Sequence, residues 1–393
     1  MRARNRRRQW LVPYSVSTPD QFELNQLANH EQLKVVFQIL SGSGGAAAGP
    51  DGVTYTDLSG SELHEILRGL AETLRQRTYR PGTDREVRIP KGQGKFRTLH
   101  IQSLLDRLVA KSLYLTLQPY WEKQLPGMRQ DVWQIFAAMQ STMRREKAYF
   151  LAIDDIRDCF PSARIDDVLD CHRNHDNQPD LLWLIETVIR GHEGPDHKQG
   201  LAQGSPYSPV AMELLLHTHL DAPLKRDATR GTPLLLRYVD NLNIVCSSER
   251  EGHDILQTCR NRLAPLGFDL KGQDGPPQDI RDPKHSRTVL GLIPRWQNGQ
   301  LTFLVPESAF DHLQEGLSSA LVSSHPDQTA REVSSGWIQA LGPALTNAAR
   351  NEIIDRVIQM ARKCGFTELL PKKLLEDGRQ ARQRWLTVSQ EGG

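Results

Sequence analysis

Two apolar runs separated by a polar tip stand out along the chain. Leu234, Leu235 and Leu236 lead into Arg237-Tyr238-Val239-Asp240-Asn241, and Leu242, Ile244 and Val245 lead away. Short β-rich runs around a polar tip predict a hairpin over 234–247, with Asp240 and Asn241 at the turn. A second hairpin is predicted where Val87 and Ile89 alternate with polar residues, a Lys-Gly-Gln-Gly-Lys turn intervenes, and Phe96, Leu99 and Ile101 follow; its tip and second strand carry Lys91, Lys95 and Arg97. Residues 149–156 read as a short apolar strand ending in Asp154-Asp155, and further strands are expected at 289–294 and 301–305. Helical spacing of apolar residues covers 20–40, 58–74, 103–117, 165–172, 181–190, 206–220 and 249–264. It also covers most of the last ninety residues, with breaks near Pro326 and Gly365. A Gly-rich loop at 191–204 and a Pro/Gly/Asp-rich stretch at 271–284 separate these elements, and no internal repeat is present. Helices mixed with short hairpin strands predict an α+β fold.

A chain of 393 residues with 38% hydrophobic content can bury a sizeable core, and its length allows two or three lobes. Net charge is only +2, so a nucleic-acid reading cannot rest on bulk charge. Local clusters carry it instead: Arg2, Arg4, Arg6, Arg7 and Arg8 precede Trp10 and form a candidate phosphate-binding arm, although a solvated tail has the same composition. The arm lacks the apolar centre of a secretory signal. No apolar run of about 18 residues is present to span a membrane. Cys159, Cys171, Cys246, Cys259 and Cys364 form no CxxC pair and are odd in number, which predicts a reduced, cytoplasmic protein without structural zinc.

Three segments carry chemistry. The first is Ala152-Ile153-Asp154-Asp155-Ile156-Arg157-Asp158-Cys159-Phe160-Pro161-Ser162, a strand ending in a carboxylate with an aromatic five residues on. The second is Gln203-Gly204-Ser205-Pro206-Tyr207-Ser208-Pro209, a loop with an amide at its tip entering a helix. The third is the Tyr238-Val239-Asp240-Asn241 hairpin. Nucleotidyl transfer needs carboxylates on neighbouring strands to hold two Mg²⁺ ions about 3.5–4 Å apart. Mg²⁺ prefers oxygen ligands and shares its shell with substrate phosphates, so few protein carboxylates suffice. Asp155 and Asp240 meet that need if their strands are adjacent. Each residue alone has an ordinary explanation: Phe160 as core, Gln203 as a loop amide, Lys91 as solvated charge, Asp240-Asn241 as a simple turn.

The order and spacing of these segments resemble the reverse transcriptases, and within them the bacterial group II intron-like lineage. GAAAGPDGVT looks like that lineage's GxxGxDGxT loop, and TYRPGTDREVRIPKGQGKFRTLHI like its YxPxxxRxVxIPKxxGKxRPLxI stretch, continued by Leu105-Asp106-Arg107-Leu108-Val109. LAIDDIRDCFPSA resembles the first catalytic motif, QGSPYSP matches QGxPxSP, Val289-Leu290-Gly291-Leu292 resembles the FLGF primer-grip turn, and Gly336-Trp337 sits where the thumb has a similar pair. The resemblance implies a right-hand polymerase. Its expected parts are a basic arm (1–20), N-terminal helices and fingers (21–148), a palm with an antiparallel sheet (149–286), primer-grip strands (287–306) and a helical thumb (307–393). It implies metal binding by Asp155, the Ile156 backbone, Asp240 and Asn241. Phe160 would act as the gate against a 2′-hydroxyl, Gln203 and Gly204 would contact the incoming nucleotide, and Lys91 and Arg97 would reach its triphosphate. Tyr238 would lie near the primer end, with Leu290 and Gly291 gripping the primer and the arginine arm on nucleic acid.

Three departures qualify the resemblance. Asn241 stands where the family has a second Asp, which predicts weaker metal binding or a preference for Mn²⁺. LGFDLKGQDG replaces LGLxLxxxKT, so Asp274 takes the place of a lysine and Lys271 becomes a candidate substitute. Asp154 points to the opposite face of a regular strand and does not compensate for Asn241. Finally, no endonuclease-like extension follows the expected thumb. The expected function is an RNA-directed DNA polymerase copying an associated non-coding RNA from dNTPs with Mg²⁺, in the manner of unknown-group and defence-associated enzymes, with a protein partner or second copy left open. The alternatives are a maturase-like RNA-binding scaffold of weak or lost catalysis, and untemplated nucleotide addition.

Overall fold

A computed structural model describes residues 13–42, 47–90, 96–228 and 231–391, without the side chains of Pro90, Arg97 and Glu391. The chain divides into two compact units. The first comprises Met1–Arg129, Ile156–Pro223 and Arg260–Asp269, and the second Gln130–Asp155, Leu224–Cys259 and Leu270–Gly393.

In the first unit, helices His30–Gly42, Gly60–Arg75 and Leu104–Gln124 bury apolar faces. The last begins at Ser103, whose hydroxyl accepts from the Asp106 amide. Asp106 is itself buried and accepts from the Tyr79 hydroxyl and the Gly82 amide, so the TYRPG and LDRLV segments are joined by one satisfied carboxylate. The predicted hairpin forms from strands β1 (Arg85–Pro90) and β2 (Phe96–Ile101) in antiparallel register. Helices Ile165–His175, Pro179–Arg190 and Ser208–Leu216 complete this unit's core, the last two opening with proline in the first turn. The third runs beyond its expected end at 220, through a π-helical turn at His217–Asp221 into Ala222–Asp227.

The second unit is built on a four-stranded antiparallel sheet of order β4-β5-β3-β6, with β3 at Phe150–Asp155, β4 at Leu234–Tyr238, β5 at Asn241–Cys246 and β6 at Gln278–Asp279. Strand β3 lies inside the sheet, paired on both edges, so Leu151, Ala152 and Ile153 are all buried and the strand reads as a continuous apolar run. Helix Val132–Glu146 was not anticipated, although its capping box (Asp131, Gln134) and the spacing of Ile135, Met139 and Met143 mark it. Strand β6, inside the Pro/Gly/Asp-rich stretch, was not anticipated either; it exists only through pairing with Phe150 and Leu151.

The expected strand at 289–294 is corrected. Val289 and Leu292 exchange both backbone hydrogen bonds across Leu290 (φ 47°) and Gly291 (φ 90°), forming a two-residue turn. The strand starts later, as β7 (Ile293–Gln297), and returns as β8 (Gln300–Leu304). Four helices follow, Glu307–Ala320, Pro326–Ala340, Asn347–Lys363 and Pro371–Glu391. They share one apolar core with Phe136, Phe303 and Trp385. Pro326 opens a helix and Gly365 separates two, as the sequence predicts; a further break falls between Ala340 and Asn347. The α+β class with an antiparallel palm-type sheet and a helical C-terminal part is therefore as expected. No helix among the described residues is long and apolar enough to cross a membrane.

Two buried imidazoles make stability depend on pH. In the first unit His172 stacks on Tyr207 and packs edge-on to Trp121, and burial, helped by His175, drives it down to about 3. In the second, burial together with Arg295 and Arg287 drives His285 down to about 4, against the opposing pull of Asp282 and Asp279. Both folded-state values lie below the unfolded value of about 6.5, so this stability is fully present above pH 6.5. It is lost as pH falls through the window toward 3–4, because the unfolded chain takes up protons first. Each histidine should contribute a slope of about 1.4 kcal/mol per pH unit in that window. Urea titrations at pH 7.0, 6.0 and 5.0 check this; His172→Phe should flatten the slope for the first unit.

Candidate active site

The predicted residues fall into two sets, one in each unit. In the second unit, the palm hairpin differs by one residue from the sequence expectation. Tyr238 pairs with Asn241, so the turn consists of Val239 and Asp240, and Asn241 is the first residue of β5. Val239 adopts φ 55°, a left-handed conformation that costs a β-branched residue roughly 1–2 kcal/mol. The buried Arg237 guanidinium donates to the Val239 carbonyl at 3.0 Å and holds the strained turn. The result is a half-buried Asp240 at the tip, with Tyr238 and Val239 exposed beside it.

Strands β3 and β5 are adjacent, and Asp155 lies directly opposite Asn241 in their register. One carboxylate thus ends β3 beside the hairpin that carries the other, the adjacency that two-carboxylate metal chemistry requires. The Asn241 amide donates from Nδ2 to Asp240 Oδ1 at 3.3 Å. The opposite amide orientation would present its oxygen instead.

A third element reaches this end of the sheet. Lys271 Nζ lies 2.6 Å from Asp155 Oδ2, and the Lys271 backbone amide donates to the Asp155 carbonyl at 2.8 Å. The next residue, Gly272 (φ 66°), donates its amide to Asp154 Oδ1 at 2.9 Å. Asp154, 3% exposed, thus anchors the 271–272 loop. Burial lowers the Lys271 ammonium, but the hydrogen bond to Asp155 and the charges of Asp155, Asp240 and Asp274 outweigh it and raise the group above its ordinary value. Asp274 is raised by burial and by Asp155 and Asp154, against Arg287 and Lys271. Lys271 is the residue the sequence left undecided; the three backbone and side-chain bonds at 154–155 define its position. Leu290, half-buried against the core, and exposed Gly291 form the turn already described, also in this unit.

In the first unit, Phe160 is half-buried in the short helix Cys159–Ser162, which follows Asp158 in a left-handed conformation. Its carbonyl accepts from the Leu201 amide at 2.9 Å, while Gly200 donates to Ala163 and Ile165 to Lys198. This lays 198–201 along 160–165. The chain then turns tightly: Ser205 donates to Ala202, with half-buried Gln203 and exposed Gly204 at the tip. The Gln203 carbonyl accepts from the His100 amide of β2 at 2.9 Å. Gly204 has φ 131°, and a Cβ there would lie 2.5 Å from the His100 carbonyl. Tyr207 anchors the loop in the core beside His172 and Trp121, its phenol raised chiefly by burial. His100, which no motif flagged, thus brings the hairpin to the Gln203 loop and Phe160. Ile156, at 0% exposure, opens this unit immediately after Asp155.

Lys91 and the arginine arm (Arg2, Arg4, Arg6, Arg7, Arg8) lie outside the described residues, as does the side chain of Arg97. Among the described residues, three metal-type donors come together at His30, Glu31 and His64, none of them a predicted ligand.

Residues 89–273 match the family described as reverse transcriptase (RNA-dependent DNA polymerase), a span that includes the end of β1, all of β2, the Gln203 loop, Asp155, Asp240 and Lys271. This stretch, a little under half of the chain, is thus similar to the reverse transcriptases. Protein YkfC of Escherichia coli K12 is 25% identical over 201 residues, covering 49% of this chain and 46% of that protein. The chain thus spans about half the length of that curated relative. Among solved structures, similarity extends to the telomerase of Candida tropicalis in complex with the TWJ fragment of telomeric RNA (TM-score 0.45, 13% identity, 84% of this chain and 67% of that one). It also extends to the apo telomerase of the same organism (TM-score 0.42, 15% identity, 83% and 72%).

Proposed function

We propose that this protein is an RNA-directed DNA polymerase. The observation that carries the reading is the pairing of Asp155 with Asn241 across β3 and β5, which sets the Asp240 turn beside a second carboxylate within a stretch similar to the reverse transcriptases. Two carboxylates and an amide oxygen make a hard donor set that suits Mg²⁺. Asp155, Asp240 and, with its amide turned, Asn241 would hold divalent ions, with the Ile156 carbonyl as a further donor. Bound there, such ions would supply Lewis-acid activation of a primer 3′-hydroxyl and charge neutralisation for the triphosphate. The chain's own groups do the rest. The Phe160 ring disfavours a 2′-hydroxyl, and Gln203 and the Gly204 backbone orient the nucleotide. Lys91 and Arg97 neutralise its phosphates, Tyr238, Leu290 and Gly291 support the primer, and the arginine arm adds salt-sensitive contacts to nucleic acid.

The motif set supports the group II intron-like lineage, an associated non-coding RNA as template, and a cytoplasmic role in antiphage defence; we include these in the proposal. The test is to purify the protein with its bound nucleic acid, sequence that RNA, and supply labelled dNTPs with Mg²⁺ or Mn²⁺. RNase-sensitive DNA product complementary to the bound RNA is the expected result. Product that ignores the template would favour untemplated addition, and bound RNA without product under either metal would favour the scaffold reading, which Asn241 motivates.

Asn241 also gives a graded prediction. Asn241→Asp restores a charge of −1 beside Asp240 and should raise Mg²⁺-supported incorporation by about tenfold, with a smaller gain in Mn²⁺. Rates measured across a titration of each ion check it; equal gains in both ions would argue against Asn241 as the determinant of metal preference.

A further inference from the structure

The geometry points to Lys271 as a built-in counter-ion that occupies Asp155 and that a divalent ion must displace before the site is loaded. This rests on the polymerase reading above. The contact is fixed by the backbone: Lys271 donates its main-chain amide to the Asp155 carbonyl, and Gly272 donates to Asp154. The ammonium is therefore delivered to Asp155 Oδ2 by the same loop that is stitched to the end of β3, at 2.6 Å. A divalent ion on that oxygen would place a second positive charge close to the ammonium, so the two would repel and compete for Asp155. The charge balance agrees: Asp155 and Asp240 supply two negative charges, Lys271 returns one positive charge, and Asn241 supplies none.

Two more features keep Lys271 where it is. Asp240 and Asp274 both attract its ammonium, so the charge is held by the cluster as well as by its direct partner. On the other side, the Asn241 amide in its present orientation directs N–H toward Asp240 Oδ1, so each carboxylate has one oxygen engaged by a nitrogen donor. Lys271 thus offsets part of the cluster's negative charge from within the protein. A triphosphate, by bringing its own negative charge, gives the ammonium another partner and frees Asp155 for metal. Metal binding and nucleotide binding are therefore coupled through Lys271.

The experiment is Mn²⁺ binding to the nucleotide-free, full-length protein, followed by electron paramagnetic resonance of free Mn²⁺, in wild type, Lys271→Met, Lys271→Arg and Lys271→Met/Asp155→Asn. Lys271→Met should bind Mn²⁺ about tenfold or more tightly than wild type, Lys271→Arg should stay near wild type, and the double variant should lose the gain. Adding a non-hydrolysable dNTP should tighten Mn²⁺ binding in wild type more than in Lys271→Met. Circular dichroism of each variant reports folding, and Lys271→Gln serves if the methionine variant is unfolded. Unchanged or weaker Mn²⁺ binding in the folded neutral variant would overturn the inference. Absence of DNA synthesis with the binding pattern intact would count against the polymerase reading alone.

Discussion

Asp240→Ala is expected to abolish labelled dNTP incorporation, lowering kcat by roughly a thousandfold or more, which is about 4 kcal/mol of transition-state stabilisation. The reason is the small number of ligands available. The sheet presents one carboxylate from β3 and one from the β4–β5 turn, and the neighbouring Asn241 adds an amide in place of a third. Losing Asp240 leaves Asp155 as the remaining predicted carboxylate ligand, and Asp155 is already engaged by Lys271. The fold should survive, because Asp240 is a half-buried turn residue outside the core and the turn is held by Arg237 and the Tyr238–Asn241 pairing. Circular dichroism and RNA retention should match wild type while single-turnover incorporation disappears. Incorporation within tenfold of wild type would mean that the chemistry runs elsewhere.

Gly204→Ala is expected to destabilise the first unit by about 2–4 kcal/mol. Two costs add. At φ 131° an L-residue is strained whatever space surrounds it, and here the new Cβ would sit 2.5 Å from a backbone carbonyl, that of His100. The carbonyl cannot swing away cheaply, because the same residue's amide is bonded to the Gln203 carbonyl and β2 is paired along its length to β1. Gly191→Ala is the control: at φ 61° and ψ −150° it too holds a conformation essentially confined to glycine, but nothing lies within 4 Å of the added carbon, so only a conformational cost of roughly 1–3 kcal/mol applies. Hydrogen exchange of the 198–208 loop and the urea midpoint read the difference. In the active protein the KM for dNTP should rise in Gly204→Ala and not in Gly191→Ala. Equal effects of the two substitutions would show that the approach of His100 to Gly204 carries no energy.

Much of the fold could be read from local pattern. Hairpins at 85–101 and 234–247 followed from alternation around polar tips, and most helices from apolar spacing with proline or serine at their starts, because these signals arise within a few residues of one another. Side-by-side arrangement of the motif segments in order along the chain also pointed to the reverse transcriptase family that residues 89–273 match. What the sequence did not determine depends on partners distant in the chain. Strand β6 is two residues long and exists only because Phe150 and Leu151 offer an edge. The turn residues of the palm hairpin shifted from Asp240-Asn241 to Val239-Asp240 because pairing register, set by the buried faces of β4 and β5, outweighed the turn preference of Asn and forced Val239 into a left-handed conformation. Lys271 could be named from sequence only as a candidate. Its placement on Asp155 needs the buried Asp154 to capture the Gly272 amide across more than a hundred residues, and no local spacing encodes a contact of that range.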